Sequence, residues 1–92
     1  MQVSLPLTVK IIVDHRSKDA PFVAYSPEVD VASCGPTEEK ARENLHEAIS
    51  IVLDTEKQSG NLSQFFEDLG FQKQKKQWVP PRVSFEPFSF SL

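Results

Sequence analysis

A lone cysteine, Cys34, stands among 92 residues, so no disulfide can form within the chain. That usage fits a reducing compartment, and Cys34 itself reads as a small core residue. Only three glycines are present, Gly35, Gly60 and Gly70, each where one element gives way to the next, which leaves no glycine-rich loop to cradle a phosphate. The two histidines, His15 and His46, lie far apart, and neither Cys-x-x-Cys nor His-x-x-x-His spacing occurs, so no metal site and no cofactor is expected. A Gly-x-Ser-x-Gly turn and any nucleophile paired with a base are missing as well, and the expectation is a binding protein, not an enzyme. Long apolar runs are absent. Pro6 and Lys10 interrupt the first apolar stretch and no small-residue cleavage site follows, so neither a signal peptide nor a membrane span is expected and the reading points to the cytoplasm.

What is present is the composition of an ordinary globular protein, 39% hydrophobic and 25% charged. A chain of this length makes one domain, residues 1–92, and buries only about two-thirds of the surface its unfolded form exposes, so self-association would help it fold. The net charge of −3 conceals a strong asymmetry. From Asp19 to Asp68 eleven acidic residues face only Lys40, Arg42 and Lys57, a net charge of −8, while both ends are basic. Such a field repels nucleic acid and attracts basic proteins.

Leu5, Leu7, Val9, Ile11 and Val13 alternate with other residues as far as Asp14, the pattern of a strand with one buried face. Polar residues from His15 to Pro21 lead to a second strand, Phe22 to Ser26. Pro27 and Glu28 turn the chain into a third, in which Val29, Val31 and Ser33 alternate with Asp30, Ala32 and Cys34. The expected unit is an antiparallel three-stranded meander. Thr37 can cap a helix whose first turn carries Glu38 and Glu39, and Ala41, Leu45, Ala48, Ile49, Val52 and Leu53 recur at spacings of three and four. This long helix should run to about Ser59, stop at Gly60 and cover the meander. A short second helix is expected from Asn61 as cap and Gln64 at the capping-box position to Gly70, with Leu62, Phe65, Phe66 and Leu69 on its apolar side.

Beyond Phe71 a basic stretch holds Lys73, Lys75 and Lys76 beside Trp78. It reads as a charged edge that discourages aggregation, with base stacking as the sharper alternative. Val83 and Phe85 then alternate like a strand, Pro87 breaks the phase, and Phe88, Phe90 and Leu92 take the opposite parity. An edge strand is expected here, with Phe85, Phe88 and Phe90 either completing the chain's own sheet or forming an interface with a second copy. The whole is an α+β domain of order βββααβ.

Several segments together resemble a known family. Phe22 through Val31, Ser33-Cys34-Gly35, Thr37-Glu38-Glu39 and Ala41 through Ile49 are similar to HicB-type antitoxins. Gly60-Asn61-Leu62, Glu67 through Phe71 and Trp78-Val79-Pro80-Pro81 extend the likeness to the short, stand-alone form. The resemblance implies a degenerate nuclease-like α+β fold, assembly into a dimer or tetramer, and a partner: a small, basic HicA-type toxin that cleaves messenger RNA and that a type II antitoxin neutralises by occlusion. Longer members carry a C-terminal DNA-binding segment that this chain does not show, so no direct DNA binding is expected.

The expected contact with the toxin is the second turn of the meander, where Tyr25, Ser26, Pro27, Glu28 and Asp30 combine an aromatic, a rigid residue and negative charge. The plainer reading of these residues is a turn with exposed acids. Two further hypotheses stand beside the antitoxin: a solitary HicB-like homo-oligomeric module without a toxin, and a residual hydrolase, which would need carboxylates among Asp14, Glu28, Asp30, Glu47 and Glu86 to converge on a metal.

Overall fold

Alternation draws the first half of the chain into an antiparallel sheet. The computed structural model describes residues 5–92, with β1 at Lys10–Val13, β2 at Phe22–Ser26 and β3 at Val31–Gly35 in the spatial order β1-β2-β3. Ile11 lies opposite Ala24, and Ala24 opposite Ser33. This register turns Ile11, Phe22, Ala24 and Val31 towards the long helix and leaves Ile12, Val23, Tyr25, Ala32 and Cys34 on the other face.

Helix α1, Glu38–Gln58, begins where Thr37 accepts a hydrogen bond from the Lys40 N–H at 3.0 Å, and Glu38 and Glu39 sit in its positive first turn. Its stop is equally local. Gly60 takes φ +77°, a left-handed conformation, and Asn61 N–H returns to the Glu56 carbonyl at 2.9 Å. Ala41 and Leu45 pack on Ala24, with Leu45 only 1% exposed. Gly35 lets the helix come this close, because a Cβ there would lie 2.7 Å from the Ala41 nitrogen. Truncating a Leu as buried as Leu45 to Ala costs about 2–5 kcal/mol.

Helix α2, Leu62–Asp68, carries Phe66 into a second cluster with Val29 and Phe71. The Phe66 ring lies 4.8 Å from Phe71 and 5.2 Å from Trp78, separations at which tilted aromatic pairs attract. Leu5, Leu7 and Leu53 close this cluster, so the chain has two linked cores, one under α1 and one around Phe66.

Five expectations need correction. The first strand is four residues long and does not start at Leu5. Pro6 has no N–H to offer, and the Thr8 N–H bonds the Glu28 carboxylate instead of a strand partner. The third strand starts at Val31, because Asp30 at φ 55° reverses the chain and Val29 drops into the second core. Cys34 is exposed, since the parity that buries Val31 turns Cys34 to the open face. Asn61 makes no capping bond with its side chain, and Gln64 donates to Asp68 at 2.8 Å, leaving the capping box unformed.

The fifth correction concerns the final strand. An unforeseen hairpin, β4 at Gln72–Gln74 and β5 at Gln77–Val79, follows α2. Its two turn residues, Lys75 and Lys76, both have positive φ, the geometry of a two-residue hairpin turn that usually takes Asn and Gly. Among the described residues, 80–92 pair with no strand, so the edge strand expected at Val83 to Leu92 is not formed there. Among the described residues no helix is long and apolar enough to cross a membrane.

Candidate functional site

The turn between β2 and β3 divides its five candidate residues between inside and outside. Ser26 and Glu28 are buried, Glu28 at 4% exposure. Tyr25 and Pro27 are half-buried and Asp30 is exposed. The Glu28 carboxylate accepts from the Thr8 N–H, 3.0 and 3.1 Å from its two oxygens, and from the Thr8 hydroxyl, 2.7 and 2.9 Å away. Ser26 Oγ adds a third donor at 3.3 Å.

Burial pushes the Glu28 carboxyl towards its neutral form, but the hydrogen bonds from Thr8 and Ser26 outweigh it and hold the group below the ordinary glutamate range. Glu28 is therefore a clamp. It fastens the segment before β1 to the turn after β2, and in this conformation it and Ser26 present nothing to a partner. The sequence expectation for these two residues is corrected accordingly: a carboxylate that finds three donors gains more from them than from solvent.

On the outside, the Tyr25 hydroxyl donates to Asp30 Oδ1 at 2.8 Å, which raises the Tyr25 pKa above its usual value. This bond holds an aromatic ring and a carboxylate together at the tip of the sheet. Tyr25, Pro27 and Asp30 thus remain as a small outward group.

The larger acidic surface lies on α1. Glu39, Glu43, Glu47 and Asp54 follow one another at helical spacing along its exposed side. Glu38 pairs with Arg42 at 3.2 Å and Glu43 with Lys40 at 3.5 Å, both well exposed and so worth little to stability. Glu39, Glu47 and Asp54 form no ion pair within the described residues, and they supply the uncompensated charge of this face. The run of glutamates was visible in the sequence. That it forms the main charged surface, while the turn buries its glutamate, was not.

The basic hairpin is occupied with its own packing. Trp78 packs on Phe66 with the two rings tilted, and Lys73, opposite it in the ladder, holds its ammonium 5.7 Å from the indole centroid. His15 and His46 are both exposed. Of the five carboxylates weighed for a hydrolase, Asp14 is bonded to Arg16 at 2.9 Å, Glu28 to Thr8 and Asp30 to Tyr25, while Glu47 and Glu86 lie exposed elsewhere on the chain. Among the described residues no three His, Cys, Asp or Glu side chains come together as a metal would require. Phe85, Phe88 and Phe90 stand out in solvent at 60%, 84% and 77% exposure. No family model, curated protein or solved structure matches the chain.

Proposed function

We propose that the chain is a HicB-like antitoxin of a type II toxin–antitoxin system, which binds a small, basic, RNA-cleaving HicA-type toxin and occludes it. The observation that carries this reading is the uncompensated acidic face of α1, Glu39, Glu47 and Asp54, exposed on a helix whose other side is anchored in the core. An RNA-cleaving protein needs a basic surface to hold a polyanion. A rigid acidic face competes for that surface, and complementary potentials raise the encounter rate from about 10⁵–10⁶ to as much as about 10⁸–10⁹ M⁻¹s⁻¹ at low salt. The outward group of Tyr25, Pro27 and Asp30 adds an aromatic anchor of the kind that interfaces favour.

The fold is compatible with the degenerate nuclease-like topology that the resemblance implies, a meander followed by a covering helix. The alternative, a solitary homo-oligomeric module with no toxin, draws on a different observation, the exposed aromatic tail. A basic toxin partner separates the two, and charge reversal tests the surface that would meet it. Replacing Glu39→Lys, Glu47→Lys and Asp54→Lys together is expected to slow association with the toxin by about 10–100-fold at low salt, the difference closing as salt screens the field. Association that is unchanged and insensitive to salt would remove the acidic face from the account.

A further inference from the structure

The last nine residues, 84–92, are all exposed. Pro80, Pro81 and Val83 are half-buried, with Pro81 against Gly70, but from Ser84 onwards every residue is exposed and without secondary structure. The radius of gyration is 15.3 Å, where a compact chain of this length has about 12 Å. Within this exposed part, Phe88-Ser89-Phe90-Ser91-Leu92 alternates perfectly and contains no proline, so in extended form it puts two phenylalanines and a leucine on one face and two serines on the other.

A seat for such a segment exists on the sheet. β1 is an edge strand with one side unpaired among the described residues. Helix α1 lies over β3 and β2 and barely reaches β1. As a result Val13, on the helix-facing side of β1, is 43% exposed, and Val9 just before the strand is 46% exposed. On the same flank, a groove of about 490 Å³ opens between α1 and residues 5–9, lined by Leu7, Val9, Ile49 and Leu53. The sheet therefore ends at β1 with these helix-side valines uncovered.

We infer that residues 88–92 of one copy add as a fourth strand to the free edge of β1 in a second copy, laying Phe88, Phe90 and Leu92 against Val9 and Val13 at the rim of α1, and that the exchange is reciprocal. Backbone hydrogen bonds along β1 supply the affinity and the alternate side chains the specificity, as in other cases of strand addition. The arrangement is self-complementary and closes with two-fold symmetry, and it removes a sheet edge that would otherwise invite uncontrolled pairing.

The area suffices. At its present exposure each added segment offers about 400 Å² from Phe88, Phe90 and Leu92. Two tails and the surfaces they cover then bury about 1,600 Å², the size of a stable interface. Charge does not oppose the contact, since Arg82 and Glu86 cancel on the tail and β1 carries only Lys10. The dimer is independent of any toxin.

Light scattering on the full chain at micromolar concentration is expected to give about twice the 10.4 kDa of one chain, and Phe88→Ser with Phe90→Ser to return it to the monomer mass. In a mixture of isotope-labelled and unlabelled chains, phenyl protons of one copy are expected to contact the Val9 and Val13 methyls of the other. A monomeric wild type, a dimer indifferent to the double substitution, or phenyl–valine contacts confined to one chain would each overturn the inference.

Discussion

Replacing Glu28 by Gln keeps the side chain's volume and removes its charge, and the structure sets what this should cost. The carboxylate accepts from the Thr8 N–H and hydroxyl and from Ser26. Hydrogen bonds to a charged group contribute about 1.5–3 kcal/mol each and neutral ones about 0.5–1.5. Glutamine retains one acceptor oxygen, but its NH₂ must then face a donor, with only the two hydroxyls able to turn and accept. A net loss of about 2 kcal/mol follows, and since each kcal/mol shifts Tm by about 4–8 °C in a domain of this size, Tm should fall by about 10 °C.

The pH dependence gives an independent check. Hydrogen bonding lowers the folded pKa of Glu28 below its ordinary value of 4.5, so its contribution is fully present above that pH and is lost as the pH falls through the folded pKa. Wild type and Glu28→Gln should therefore differ at neutral pH and converge in acid. Asp14, whose pKa Arg16 also lowers, is common to both chains and drops out of the comparison. Urea unfolding followed by circular dichroism measures the gap at each pH. A gap below about 0.3 kcal/mol at neutral pH, or one that persists undiminished in acid, would refute the clamp.

Gly35→Ala should destabilise by about 1–3 kcal/mol in the same assay, because the new Cβ meets the backbone of Ala41 at 2.7 Å and α1 must shift; an unaltered midpoint would mean the helix is not so closely seated. Lys75→Asn with Lys76→Gly should raise stability by about 1 kcal/mol, relieving two lysines of positive φ, and a lower Tm would contradict the turn geometry. Thr8→Val removes the hydroxyl but keeps the N–H, so it should cost about 1 kcal/mol, and combining it with Glu28→Gln should cost less than the two separately; strict additivity would show that the groups do not interact.

Signals that lie close together in the chain were legible. Thr37, Glu38, Glu39 and Gly60 mark the ends of α1 through bonds to residues within five positions, and the apolar stripe from Ala41 to Leu53 follows from helical spacing alone. Long-range partners were not legible. The burial of Glu28 depends on Thr8, twenty residues away, and nothing local separates it from an exposed acid such as Asp30. The β4–β5 hairpin went unseen because its turn holds two lysines where the usual signal is Asn-Gly. For the tail, alternation suggests a strand, but a strand needs an edge to pair with, and among the described residues, 80–92 pair with none.

The central claim is that this acidic domain neutralises a basic RNA-cleaving protein. Its most direct test is co-expression with the product of the adjacent small reading frame, followed by purification and a growth assay. The account predicts that the two proteins co-purify, that the second alone is toxic and cleaves messenger RNA, and that this chain relieves both effects. A neighbour that remains unbound, with its toxicity undiminished, would contradict it.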